Sequence, residues 1–262
     1  MKNLDKEILP NIHNIKAQET YTLPSKGLVY SPEDKIGSSI TLRRMTTKED
    51  KIRLRSAPED QIRKDLLQAC ILDENIDAGK LKLMDANFLL FRLRSLSLLD
   101  DTYKVACRCG NCGTEFVHEV NLLDVPVKYL TEEDLEYLHI ELPISQAQID
   151  FKYPSLNDII KRSQEMSEYF NNFPNADRGE YLYTLSVTLY LDKVNGHTLL
   201  NEEVGDYIDN LDILDSRALS NVVDILDSQF GFQNELKAKC PNCKEDVIHG
   251  LPITRELFSP SK

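Results

Sequence analysis

The chain has 262 residues, 41% hydrophobic and 28% charged, with 43 Asp and Glu against 31 Lys and Arg and a formal net charge of -12. This length can bury one large core or two small ones, and the excess of acid argues against unaided binding to a polyphosphate backbone, which needs clustered cations. No stretch approaches the roughly 18 apolar residues of a membrane span or has the apolar core of a signal peptide, so the expected setting is a reducing cytoplasm, where thiols bind metal rather than form disulfides.

In chain order, residues 1–20 lack periodicity and are read as a flexible tail. Tyr21 to Tyr30, with Pro24 and Gly27, reads as a turn between two short extended pieces. Ile40 and Leu42 alternate as in a strand. Thr46-x-x-Glu49 and Thr47-x-x-Asp50 are capping boxes, and a helix over about 47–56 follows them. Pro58, Glu59 and Asp60 start the next helix, which carries Ile62, Leu66, Leu67, Cys70 and Ile71 on one face, with Cys70 read as a core residue. Asp85 is placed as the cap of a third helix, apolar on most sides from Phe88 to Leu99 and therefore central.

The chain then reaches Cys109-Gly110-Asn111-Cys112 in a strand–turn–strand setting, and the pattern restarts. Ile149 to Tyr153 alternates as a strand, Ser155-x-x-Asp158 is a cap, and Tyr181 to Asp192 reads as an apolar helix. Asp215 opens a helix bearing Leu219, Val222, Val223, Ile225 and Leu226, Gly231 stops it, and Cys240-Pro241-Asn242-Cys243 follows. At an offset of 131, Cys109 falls on Cys240, Cys112 on Cys243 and His118 on His249. The strands at Ile40 and Ile149 are offset by only 109, so the second copy carries 22 extra residues, placed in Asn171 to Asp177 and Gly196 to Asn210. The expected fold is α+β and mainly helical: two tandem related lobes, over residues 21–123 and 124–262, joined by a shared four-cysteine zinc ribbon.

Each copy contributes one C-x-x-C, so neither closes a tetrahedral site alone. The expected ligands of a structural Zn²⁺ are Cys109, Cys112, Cys240 and Cys243. Cys107 has Ala238 as its counterpart and is read as a strand residue beside the site, the alternative being that it replaces Cys109 as a ligand. His118 and His249 are read as packing or outer partners of the site, with ligation as their alternative. A redox role would put the first thiol at a helix N-terminus, which these hairpin settings do not offer.

No G-x-S-x-G, G-x-x-x-x-G-K or H-E-x-x-H motif supports an enzyme. His13, His139 and His197 are scattered, and Glu132-Glu133-Asp134 and Glu202-Glu203 read as helix starts. Arg43, Arg44, Arg53, Arg55, Arg63, Arg92 and Arg94 make the N-terminal half basic, so the alternative function is a zinc-ribbon nucleic-acid-binding or regulatory protein.

Three segments together carry a resemblance: Leu23-Pro24-Ser25-Lys26-Gly27-Leu28-Val29-Tyr30, then Ile40 to Lys51 with its Thr46-Thr47-Lys48-Glu49-Asp50 step, then Phe88 to Arg94 leading into Tyr103-Lys104-Val105 and a C-x-x-C. They resemble the T4-type bacteriophage baseplate protein family, directly over about residues 21–125 and through the repeat beyond. The resemblance implies a non-enzymatic role in the central hub of a contractile tail baseplate, as a minor structural subunit or as an assembly factor. It implies other hub proteins and the tape-measure protein as partners; the lack of an apolar span and the net charge of -12 argue against membrane and nucleic acid. The implied location is the host cytoplasm during assembly, or the virion tail baseplate. The turn from Leu23 to Tyr30, with the tail before it, is the expected docking segment, by strand addition, the alternative being a hairpin packed on its own core.

Overall fold

The computed structural model describes residues 17–175, 177–199, 201–233 and 235–259. Residues 1–16 of the expected tail, His13 among them, lie outside the described residues, and Gln18–Thr22 already forms strand β1. β1 pairs antiparallel with β2 (Ser39–Arg43), placing Tyr21 opposite Ile40. The alternation in β2 buries Ile40 and Leu42 completely. Thr46 caps α1 (Thr47–Arg53) through a capping box with Glu49, so of the two overlapping boxes the first is used. Pro58 precedes α2 (Glu59–Cys70), whose face of Ile62, Leu66, Leu67 and Cys70 is buried as its spacing predicts, and Ile71 bridges back to Leu42. α3 (Leu83–Leu98) buries Phe88, Leu89, Leu90, Phe91 and Leu93 and is the central helix of this half. A hairpin of β3 (Thr102–Arg108) and β4 (Glu115–Asn121) follows, then the short β5 (Val127–Lys128).

The second half runs from β6 (His139–Glu141) to β11 (Asp246–His249). β6 and β7 (Gln148–Phe151) lead through a Ser155 cap to α4 (Leu156–Asn172) and then α5 (Arg178–Tyr190). The helix expected over Tyr181 to Asp192 ends at Tyr190, because Leu191 to Val194 pair with β7 as β8 (Leu191–Val194). α6 (Asn201–Asp209) falls within the expected insertion, and α7 (Ile213–Asp227) leads to β9 (Gly231–Phe232). The second hairpin is β10 (Leu236–Lys239) with β11 (Asp246–His249).

Two aspartates expected at helix starts do other work. Lys82 and Asp212 hold the N-cap positions of α3 and α7. Asp85, fully buried, accepts hydrogen bonds from the Ser25 N–H (3.0 Å) and the Tyr30 hydroxyl (2.7 Å). Asp215 accepts from the Ile144 and Ser145 N–H groups at 2.8 and 3.0 Å. A buried carboxylate needs donors, and in both halves they come from a turn far away in the chain, an amide and a hydroxyl at Asp85 and two amides at Asp215. Burial raises the Asp85 pKa, partly offset by the Ser25 and Tyr30 donors. At Asp215 burial also acts upward, but the Ile144 and Ser145 amides outweigh it and hold the carboxyl below its ordinary range.

The Leu23 to Tyr30 turn is thereby drawn inward. Leu23, Pro24 and Ser25 are buried, the Leu130 N–H donates to the Pro24 carbonyl at 2.8 Å, and Gly27 at φ 82° leaves a Cβ only 2.9 Å from the Gly37 backbone. The hydrophobic residues form two clusters. One gathers the first half together with Cys240, Val247, Leu251, Leu257 and Phe258 from the far end of the chain. The other is built between Leu130 and Phe230 and includes Met84 of α3, so the central helix serves both. Among the described residues no helix is long and apolar enough to cross a membrane.

Candidate metal centre

The two hairpins have nearly the same local structure, and their hydrogen bonds match at the offset of 131. In the first, the Cys109 N–H donates to Thr114 O and the Gly113 N–H to Cys109 O; in the second, the Cys240 N–H donates to Glu245 O and the Lys244 N–H to Cys240 O, all between 2.9 and 3.0 Å. Gly113 (φ 72°) and Lys244 (φ 64°) both take the left-handed conformation that closes each turn. Free backbone N–H groups then point at the sulfurs and favour thiolate over thiol.

The turns face each other, and the Sγ atoms of Cys109, Cys112, Cys240 and Cys243 all lie within 4.8 Å of one another. Cys109 to Cys243 and Cys112 to Cys240 are each 3.6 Å apart, too far for a disulfide at about 2.05 Å. Four thiolates at about 2.3 Å from a tetrahedral zinc would be separated by about 3.8 Å, so the cluster fits that ion with little adjustment. The four cysteines therefore form a cluster able to bind a metal ion, with Cys109 and Cys240 buried and Cys112 exposed at the rim.

The electrostatics of the cluster favour a cation. The Thr114 hydroxyl, then its backbone N–H, draw the Cys112 pKa down to about 5, helped by Cys243 and Asn242. Amides of Cys243 and Asn242 lower Cys240. Cys243 goes the other way: the Glu245 N–H favours its thiolate, but burial and the neighbouring Cys112, Cys109 and Cys240 push it up to about 11. Packed sulfurs compete for negative charge, and a divalent ion removes the competition.

The remaining candidates are brought near without joining the cluster. Cys107, opposite Phe116 in the β3–β4 register, is buried in the first hydrophobic cluster with its thiol directed at Val105 O (3.6 Å), and burial raises its pKa. His118 and His249 meet each other, Nδ1 to Nε2 at 2.7 Å with ring planes at 84°. Since the Gly250 carbonyl accepts from His249 Nδ1 at 3.0 Å, His249 Nε2 accepts the His118 Nδ1–H. Burial and the neighbouring His249 lower the His118 pKa. The matched positions of the two histidines foreshadowed this contact, which spacing alone does not disclose.

The other sequence candidates are dispersed. His139 pairs with Asp150 at 2.8 Å and His197 closes a bridge with Val194. All seven arginines of the basic half have partners inside the molecule. Arg43 meets Glu49, Arg44 the Ser97 carbonyl, Arg53 Asp50, Arg55 Asp65 and Arg63 Asp60, while Arg92 lies over Phe88 and Arg94 binds the Asp100 and Thr102 carbonyls.

No curated protein and no solved structure matches the chain. A family model described as T4 bacteriophage base plate protein matches residues 16–258, extending the likeness from the first half to nearly the whole molecule, cysteine hairpins included. The chain therefore belongs to the T4 bacteriophage base plate protein family, and is a phage baseplate protein whose associates are other baseplate proteins.

Proposed function

We propose that the protein is a non-enzymatic structural or assembly component of the central hub of a contractile tail baseplate, held together by one structural zinc. The observation that carries this reading is the family match over residues 16–258, which takes in both halves and both cysteine hairpins. Cys109, Cys112, Cys240 and Cys243 would hold the ion, and a zinc with four thiolate ligands keeps no open position for substrate, which suits a scaffold. Bound there, the ion supplies cohesion between two hairpins that are 131 residues apart in the chain.

The halves act in this reading as two related lobes, 21–123 and 124–262, descended from one duplicated unit. Support comes from paired details: the matched bonds of the two cysteine turns, the left-handed residues Gly27 (φ 82°) and Gln146 (φ 56°), each four positions after the leucine of Leu23-Pro24 and Leu142-Pro143, and the buried aspartates that accept from those turns. The alternative, a nucleic-acid-binding ribbon, is disfavoured by the internal engagement of the arginines and by the net charge of -12. In the expected docking turn Leu23, Pro24 and Ser25 are buried while Lys26 and Leu28 stay exposed, so a partner would meet the turn at its tip.

The test is coexpression with each hub protein of the same phage and with its tape-measure protein. Stable copurification with at least one is expected. Copurification with none, together with tight nucleic-acid binding at physiological salt, would overturn the proposal.

A further inference from the structure

Between residues 129 and 233 the chain holds twenty Asp and Glu but only six cations: Lys152, Lys161, Arg162, Arg178, Lys193 and Arg217. Four of the six, Lys152 after β7, Lys161 and Arg162 on α4, and Lys193 on β8, line one cavity of about 280 Å³. Gathering scarce like charges in a concavity raises their mutual repulsion and focuses a positive field at its mouth. Such an arrangement is relieved by an incoming anion.

The acids at hand only partly satisfy it. Glu165 pairs with Arg162 at 2.8 Å but reaches Lys161 only at 3.8 Å, and Asp158 is 3.9 Å from Lys152. Asp192 is in the lining, and Lys193 makes no ion pair among the described residues. Among the described residues the cavity lining itself thus holds four cations and one carboxylate, Asp192. The cavity floor is apolar, formed by Leu191, Leu199 and Val204, which would be wasted on a compact inorganic ion but suits the methylene groups of acidic side chains.

We infer that this cavity is a binding site for an acidic peptide segment, with neighbouring carboxylates reaching the four cations and their aliphatic stems resting on the apolar floor. That the segment comes from a protein, specifically a neighbouring baseplate protein, rests on the family membership. The site itself does not.

The direct test is fluorescence anisotropy of labelled hexaglutamate titrated with the full chain at about 50 mM salt, where surface charges are weakly screened. Saturable binding is expected, and Lys152→Glu with Lys193→Glu should weaken it by about tenfold or more. Lys152→Gln with Lys193→Gln is the milder pair, with an intermediate loss expected. Both variants should keep the wild-type circular dichroism. The same charge change on β10, Lys237→Glu with Lys239→Glu, should leave binding unchanged. Absence of saturable binding, or equal loss in the β10 pair, overturns the inference. Tighter binding of pyrophosphate than of hexaglutamate also overturns it, by making the cavity a small-anion site. Because the probe is synthetic, these outcomes are separate from whether the chain copurifies with any tail protein.

Discussion

Cys112 and Cys243 come from opposite hairpins and stand in a single cluster, so replacing both leaves two sulfurs, too few to hold a structural zinc. Purified wild-type protein should carry about one zinc per chain and Cys112→Ser with Cys243→Ser almost none, as read by elemental mass spectrometry. Cys107→Ser should keep its zinc, since that thiol points at Val105 O. A metal content unmoved by the double change would refute the ligand set. A second residue-scale effect lies far from the cluster. The Arg43 guanidinium, with help from Thr46, holds the buried Glu49 carboxyl at about 2, below its ordinary 4.5. A carboxyl depressed by folding contributes stability that is complete above its unfolded pKa and disappears as pH falls through the folded one. Glu49→Gln should therefore cost about 3 kcal/mol near neutrality. The gap from wild type should narrow between pH 4.5 and about 2, followed by urea unfolding across that range. The cysteine pairs could be found from spacing because their chemistry is local, two ligands three residues apart on a turn. The Glu49 box was likewise local, whereas its Arg43 partner on β2 was read only as part of a basic surface.

At the scale of elements, helices and caps followed from periodicity, and the departures have one cause. An aspartate ahead of an apolar run looks like a cap, but Asp85 and Asp215 are committed to amides 60 and 71 residues away, partners that no local pattern reveals. For the same reason β6 and β8 were missed: each is only three or four residues long and is defined by its pairing with β7 rather than by its own alternation. The cations of the α4–β8 cavity spread over 42 positions of sequence, from Lys152 to Lys193, and no single stretch shows them together. The aspartate contacts predict unequal effects. Asp85→Ala strands a buried amide and the Tyr30 hydroxyl and should cost about 3 kcal/mol, seen as a lower urea midpoint at unchanged slope. Asp85→Asn keeps one acceptor oxygen and should fall between the two. Equal stability of all three proteins would show that the turn needs no internal acceptor.

For the molecule as a whole, the cysteine cluster and the hydrophobic clusters tie the same segments. The first cluster includes Cys240, Val247, Leu251, Leu257 and Phe258, the Tyr103 hydroxyl donates to Pro252 O at 2.9 Å, and Arg63 donates to Ile253 O. Since structural zinc contributes roughly 10–16 kcal/mol of apparent binding energy that is also folding energy, chelation should raise amide hydrogen exchange in β3–β4, β10–β11 and residues 251–258 together. Exchange that rises in one hairpin alone would separate the clusters from the metal.

The same closing segment sets a timetable for biosynthesis. A core centred on α3 is translated early, yet two of its side chains, Leu257 and Phe258, are made only after the second hairpin. At about 5–20 residues per second, a ribosome that has finished the first hairpin still has some ten seconds of work before those residues appear. During that wait Cys109 and Cys112 have no counterparts. A chain cut short by nonsense mutation or proteolysis before Leu251 would lose Leu251, Leu257 and Phe258 from a core it had already begun.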